Sequence, residues 1–548
     1  MNFWRSIRRD QLLLSILLIG LVLRGLNPTF GSPSLYVSND EANAHLSAFN
    51  MIAKKTPISI ANYTPLGAYV QLPFLVASFL IMKILGLVSN AGDFELFVLT
   101  HEGYFLFIPR LISAFFGTLT VLLIYKMTFK LFKHKQTALI SAFFAAVSFN
   151  LVHISHFGRP WAAALFFFLL AIYLSIKNSF TFSYITVGIS YGFHQVGILA
   201  IPLIVRFTKK RLQVGKLLNI TILILMIIIL SSLTLKIGVI KSIGQGQSFL
   251  KPDTIITDLL KGENNLFNLL SKTVLNNSLI HFFLNLLITD GVIIIFTILG
   301  IFISFKQRLR RKIIYYVLGY FLFAVLFFYS LPRYLLPIFL ISIPFAAHGI
   351  TNIFPKSKII IAILLAISSV NSLWWNYLYL QKPTFILASE WIEKNVVSGE
   401  KIANVGGRFT TFAPDKSSID YLQKFNPNSY RRLSEKVELM TEDNTRNILY
   451  LNQIPNAKDN LFYYITDYSP TYLMNYYFTK RDSLILKYPN FFEEVVVFNP
   501  SRGGRDEEIA ETLFDPSSNF DTYDIRTHPS MYSLEKMGPI VEILKFKN

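Results

Sequence analysis

The sequence predicts an α-helical polytopic membrane protein, about eleven transmembrane helices at about 20 residues each, followed by a C-terminal extracytoplasmic α/β domain. Three observations predict it. Of 548 residues, 52% are hydrophobic and only 16% charged, where soluble chains carry about 25% charged residues. Apolar runs close to the length of a bilayer crossing recur through the first two thirds of the chain. The charge is also split. Residues 1–375 hold 32 Lys+Arg against 10 Asp+Glu, a balance of +22, while residues 376–548 hold 20 against 23, a balance of −3. This composition excludes a soluble enzyme and a disordered chain.

The elements follow from where the basic residues fall. Arg5, Arg8 and Arg9 precede the first apolar run and place the N-terminus on the cytoplasmic side. A cleaved signal peptide is the competing reading, but Arg24, Asn27 and Pro28 follow the run in place of small cleavage-site residues. Other basic clusters run from Lys126 to Lys135, Arg206 to Lys216, Lys306 to Lys312 and Lys356 to Lys358. Placing each inside gives spans at 11–27, 108–127, 138–153, 162–177, 183–194, 196–207, 217–238, 284–304, 313–330, 334–349 and 358–376. The pair within 183–207 is short for two crossings and reads as broken or re-entrant. Topology thereby explains the net charge of +19, and no nucleic-acid partner is needed. The absence of cysteine excludes disulfides, thiolate metal sites and cysteine nucleophiles.

The expected domains are a membrane domain over 1–376, with a large first outer loop at 28–107, and a soluble domain over 377–548. Leu66 to Val88 is apolar enough to span, but a crossing there would put a basic cluster on the wrong side. It reads as helices at or dipping into the outer interface. Residues 239–283 form a second outer piece, polar and rich in Asn and Lys. In the tail, Phe385 to Val397 reads as a helix. Lys401 to Val405, Asn447 to Leu451, Leu461 to Ile465, Glu494 to Phe498 and Ile540 to Phe546 read as strands. The sequence holds no internal repeat, which argues against a secondary transporter.

Several residues could carry chemistry. Asp40 and Glu41 are adjacent in the first outer loop, among only ten acids before Trp375. A carboxylate at a membrane edge is partly desolvated and suited to accept a proton. The plainer reading is a helix start capped by Ser38 or Asn39, with the acids favouring its dipole. Arg110 and Arg333 lie at outer span ends, where topology does not enrich arginine. Each needs a carboxylate or a phosphate as partner, or else only snorkels to headgroups. His153, His156 and Arg159 crowd one outer turn, and a His-x-x-His pair without a third ligand is a weak metal site. His194 and Gln195 lie at the break between two short spans and are membrane-edge polars or headgroup contacts. Asp290 is the one acid just inside a span. Gly406-Gly407 after a strand is a turn more readily than a phosphate loop.

The order of these features resembles the GT-C superfamily of polytopic glycosyltransferases, in the branch of protein O-mannosyltransferases and aminoarabinose lipid A transferases. Asp40-Glu41 resembles that branch's acidic pair. Tyr63-Thr64-Pro65-Leu66 looks like its Tyr/Lys-x-Pro-Leu segment. The run from Arg110 to Gly117 is similar to its Arg-x-x-Ser-Ala-x-x-Gly span start. His156-Phe157-Gly158 looks like its second outer loop, and Arg333-Tyr334-Leu335-Leu336-Pro337 is close to its Arg-Tyr-Leu-Leu-Pro sequence. Ala388 to Ile392, with Asn395 and Gly399, resembles the entry into its outer domain.

The resemblance implies transfer of a monosaccharide from a polyprenyl-phosphate donor to an acceptor hydroxyl on the extracytoplasmic face, with inversion. Asp40 would be the general base and Glu41 would orient it or hold the sugar. Arg110 would brace the acidic pair, and Arg333 would hold the leaving phosphate. Tyr63 and Tyr334 fall in the substrate-binding motifs. Arg159 and His194 stand where many relatives have an acid and a lysine, and these two could share the phosphate. The departures leave open the sugar, the acceptor (lipid, glycan or protein) and a divalent cation; no other cofactor is implied. A polytopic lipid or glycan flippase without transfer chemistry is the competing function. The absence of cysteine, the lack of a retention signal and the many short loops favour a prokaryotic cytoplasmic membrane over the endoplasmic reticulum.

Overall fold

A computed structural model of the chain describes residues 10–32, 34, 39–53, 55–57, 64–101, 103–207, 214–233, 278–327, 332–405, 412–427, 445–451, 454, 460–477, 483–501, 532 and 534–547. The first helices are α1 (Gln11–Gly25), α2 (Asn39–Ala53), α3 (Leu66–Tyr69), α4 (Leu72–Ile84), α5 (Ala91–Thr100), α6 (Phe107–Phe132), α7 (Lys135–Val147) and α8 (Phe149–His156). There follow α9 (Trp161–Ile176), α10 (Phe180–Phe193), α11 (Ile201–Phe207), α12 (Val214–Ser232), α13 (Ser278–Ser304), α14 (Arg308–Phe327), α15 (Leu336–Ile353), α16 (Lys358–Leu380) and α17 (Thr384–Asn395). Short 3-10 turns at Gln195–Ala200 and Pro332–Leu335 lead into α11 and α15.

Among the described residues, Leu66–Ile84, Tyr104–Phe132, Leu286–Ser304, Arg333–Ile353 and Lys358–Asn395 are long and apolar enough to cross a membrane, and the bent pair α7–α8 makes a sixth. The first of these is the segment expected to lie at the interface; its length and composition equally suit a crossing. α1 and α9 are apolar but shorter. The expected outer piece 239–283 falls almost wholly outside the described residues.

The chain divides into two bodies. The helical body comprises residues 1–26, 43–72 and 108–376. α15 is buried along nearly all its length, whereas α1, α12, α13, α14 and α16 present exposed Leu, Ile, Val and Phe. Such faces are stable against hydrocarbon, not water. The basic turns are tied together. Lys135 Nζ pairs with Asp10 Oδ2 at 3.0 Å. Arg310 Nη2 donates to Leu131 O (3.3 Å), and Lys312 Nζ donates to Arg206 O (3.0 Å). The Thr137 and Thr351 hydroxyls are 3.0 Å apart. The clusters that sequence reading assigned to one side therefore lie at one end of the helical body.

A broken span crosses this body. α7 and α8 meet at 49° across Ser148. Such a break leaves the last carbonyls of one half and the first amides of the next without helical partners. Charges of opposite sign meet the two ends. Arg24 donates from Nη1 to Ala146 O (2.8 Å) and Gly20 O (3.0 Å), and from Nη2 to Ala145 O (2.6 Å). Ser372 Oγ donates to Val147 O (2.5 Å). On the other side, Asp290 accepts from Phe149 N (3.0 Å), Asn150 N (3.2 Å), Asn150 Nδ2 (2.8 Å) and Ser148 Oγ (3.0 Å). A cation at a helix C-terminus and an anion at a helix N-terminus both oppose the local dipole favourably. Asp290 itself stands at a kink in α13, with φ −133° and ψ 38°. Asn371 Nδ2 donates to the nearby carbonyls of Ile288 (2.9 Å) and Thr289 (2.8 Å).

The second body comprises residues 27–42, 73–107 and 377–548. Its five strands are β1 (Ile402–Val405), β4 (Ile448–Tyr450), β5 (Tyr472–Tyr477), β6 (Phe492–Phe498) and β7 (Ile540–Phe546); β2 (Ala413–Pro414) and β3 (Thr445–Arg446) pair separately. The order is β4-β1-β5-β7-β6, with β4, β1 and β5 parallel and β7 antiparallel to both neighbours. Ala403, Leu449, Leu473 and Leu544 form a core with Leu422 of α18 (Lys416–Phe425) and Ile465 of α19 (Leu461–Tyr468).

The strand expected at Leu461 to Ile465 is thus wrong: that stretch opens α19. Its aromatic residues favour strand, but Leu461, Ile465 and Tyr468 fall at helical spacing, and Ile465 and Tyr468 are buried. β5 went unread because it follows directly behind that helix. Gly406-Gly407 lies outside the described residues.

Arg24→Ala and Asp290→Ala each leave stranded backbone groups and one uncompensated buried charge. Each is expected to cost about 3 kcal/mol, read as loss of thermal stability in detergent, with Arg24→Lys intermediate. Variants as stable as wild type would refute this account of the break.

Candidate active site

At the end of the helical body away from the basic turns lie the start of α6, the turn from Phe157 to Pro160, the end of α10 and the start of α15. Each carries a residue singled out by sequence. Arg110 sits in the first turn of α6 and is buried. One turn on, Ser113 Oγ donates to Arg159 O (2.9 Å), which joins α6 to the loop after α8. The Arg159 guanidinium lies 5.6 Å from the Phe157 ring centroid. Arg110 and Arg24 both lie in electrostatic reach of His156, the last residue of α8. Gly117 is required for this packing, because a Cβ there would come within 2.8 Å of both Arg24 Cδ and Ser155 Cβ.

Trp161 links the remaining groups. Its ring lies 4.0 Å from His194, tilted by 35°, and 5.7 Å from Tyr334, edge to face. The Arg333 guanidinium stands 5.6 Å from the Tyr334 ring centroid. The Tyr334 carbonyl accepts from Tyr320 Oη (2.8 Å), and His194 Nδ1 accepts from Val196 N (3.1 Å). The structure therefore brings His194 and Tyr334 against one indole, with the Arg333 guanidinium beside the Tyr334 ring. A small cleft beside them is lined by Gly67, Gln71, Pro109, Ser113, Gly158, Arg159, Pro160 and Phe193, among others.

The acidic pair lies in the first turn of α2, as the helix-start reading expects. Glu41 is fully buried; the Asp40 side chain and all of Tyr63 lie outside the described residues. One turn past Glu41, His45 Nδ1 is 2.8 Å from Gln71 Oε1. His153 is engaged by Trp375, whose Nε1 donates to its Nδ1 (3.1 Å). Among the described residues no group of three His, Asp, Glu or Cys is placed to hold a metal.

Sequence reading passed over Arg24, Trp161, His45 and Gln71. Arg24 and Asp290 carried a usable signal, a lone charge within an apolar run. Trp161→Ala would empty the space between His194 and Tyr334 and cost about 3 kcal/mol of stability in thermal unfolding, and Trp161→Phe markedly less. Equal losses would show that ring stacking does not hold the two together.

The family profile described as Dolichyl-phosphate-mannose-protein mannosyltransferase matches residues 80–194. That stretch contains Arg110, Arg159, Trp161 and His194. No curated protein matches the chain. Among solved structures, the oligosaccharyltransferase of Archaeoglobus fulgidus is 14% identical, at a TM-score of 0.44 over 85% of this chain and 68% of that one. ArnT from Cupriavidus metallidurans bound to undecaprenyl phosphate is 9% identical, at 0.46 over 98% of both chains. The profile match runs from within α4 to the residue after α10, in a chain several of whose helices are long and apolar enough to cross a membrane.

Proposed function

We propose that the chain moves a monosaccharide from a polyprenyl-phosphate donor to an acceptor hydroxyl on the extracytoplasmic face. The observation that carries this is the mannosyltransferase profile over residues 80–194, whose arginines at 110 and 159 stand with His194 and Arg333 at one end of the helices. Asp40 takes the proton of the acceptor hydroxyl as its oxygen attacks the anomeric carbon. The bond from that carbon to the phosphate oxygen breaks on the opposite side, so the sugar inverts and the polyprenyl phosphate leaves with the electron pair. Fixed cations stabilise charge that develops only as that bond breaks, and they do so best away from water. Arg333, Arg159 and His194 meet the phosphate; Arg110 braces Asp40 and Glu41; Tyr63 and Tyr334 line the donor. The prenyl chain stays in lipid throughout.

The acceptor is a lipid, glycan or protein hydroxyl. The basic turns tied together at one end support a cytoplasmic assignment for that end; in this reading the chemistry and the C-terminal domain lie outside.

Transfer from a panel of radiolabelled polyprenyl phosphate sugars is expected from purified wild type. Asp40→Asn should lose it by a factor of at least about 100 while still binding donor. Turnover surviving in Asp40→Asn would assign the base elsewhere, and no turnover with any donor would overturn the proposal. Because the chain has no cysteine, single cysteines report orientation cleanly. In intact cells Ser398→Cys should react with a membrane-impermeant maleimide and Ser357→Cys should not. The reverse pattern would invert the topology.

A further inference from the structure

We propose that one water molecule is bound inside the helical body between Arg24, Thr120 and Ser155, and that through it Arg24 holds both halves of the broken span. The site lies apart from the candidate active site and does not depend on the reaction the chain performs.

A cavity of about 10 Å³ lies among α1, α6, α8, α9 and α15, lined by Arg24, Gly117, Thr120, Leu151, Ser155 and Leu340, among others. That is room for the centre of a single water. Its three polar side chains, Arg24, Thr120 and Ser155, are all buried. What each still offers follows from the bonds it already makes. Arg24 Nη1 and Nη2 donate to the carbonyls of Gly20, Ala145 and Ala146, whereas Nε is buried and donates to no protein group. Thr120 Oγ1 donates its proton to Phe116 O (2.9 Å), and Ser155 Oγ donates its proton to Leu151 O (2.7 Å). Both hydroxyls are thereby left as acceptors. One N–H and two acceptors are the complement of a water that accepts once and donates twice. A small anion would meet two sets of lone pairs and a cation would meet the guanidinium, so neither suits these groups. A buried N–H without a partner is costly, and a water with three polar partners is the common remedy.

The packing keeps this space open. Gly117 lies on the cavity wall, where a Cβ would come within 2.8 Å of both Arg24 Cδ and Ser155 Cβ. Arg24 Cδ, the carbon bonded to Nε, therefore stands at that wall beside Ser155. Thr120 follows Gly117 by one turn of α6. Arg24 thus reaches α7 directly through its terminal nitrogens, and reaches α6 and α8 through the water.

The test is an experimental structure of the purified chain in lipid, at a resolution that shows ordered water elsewhere in the helical body. A density peak within about 3.2 Å of Arg24 Nε, Thr120 Oγ1 and Ser155 Oγ is expected, and no peak there would overturn the proposal. Thermal unfolding in detergent tests it independently. Thr120→Val and Ser155→Ala each remove one acceptor and should each lower the midpoint by about 2 °C. Because both hold the same water, the double variant should lose clearly less than the sum of the two. Thr118→Val is the control: its hydroxyl donates to Ala114 O (2.8 Å) on the same helix and does not line the cavity. Its loss should add in full to that of Ser155→Ala. Full additivity of Thr120→Val with Ser155→Ala would overturn the bridge.

Discussion

A helix broken inside an apolar body survives only if both raw ends find partners, and the rest of the helical body is arranged around that demand. The carbonyl end of α7 takes the Arg24 guanidinium and the amide end of α8 takes the Asp290 carboxylate. One positive and one negative charge are buried together, each against the dipole that suits it. Asn371 and Ser372 of α16 meet carbonyls at the two kinks. Three helices distant in sequence, α1, α13 and α16, are thereby held to one point.

What the break accomplishes lies further along. α8 runs from Asp290 to His156 and delivers the chain into the turn that bears Arg159 and Trp161. Trp375 holds His153 on the way, and Ser113 holds the Arg159 backbone after it. The backbone of Arg159 is therefore placed by a sequence of directional bonds that begins at a carboxylate within α13. Trp161 then gathers His194 and Tyr334. The Arg159 guanidinium stands by the Phe157 ring and the Arg333 guanidinium by the Tyr334 ring, contacts that favour a cation.

The second body follows different physics. Its parallel strands β4, β1 and β5 bury their faces under helices, and Glu542 is wholly enclosed, accepting from Asn475 Nδ2 (2.8 Å), Ser483 Oγ (2.9 Å) and Leu484 N (2.6 Å). That carboxylate caps a short helix much as Asp290 caps α8. In both bodies a buried acid is tolerated because backbone amides at a helix start surround it.

The sequence by itself determined the membrane class, most of the helical segments and the basic turns. These rest on composition, run length and local motif order, which need no tertiary partner to be read. It also marked Arg110, Arg159, His194, Arg333 and Tyr334, because polar residues at the ends of apolar runs are conspicuous. Only the tertiary structure decided which of them meet. Nothing in the spacing of Trp161, His194 and Tyr334 says that one indole joins them, since each comes from a different helix end. Nor does the sequence tell that Arg24 and Asp290 serve the two ends of one break, because the break at Ser148 has neither Gly nor Pro to announce it. Leu461 to Ile465 was misread for a related reason: aromatic residues suit strand and buried helix alike, and the face they present is settled by what packs against it.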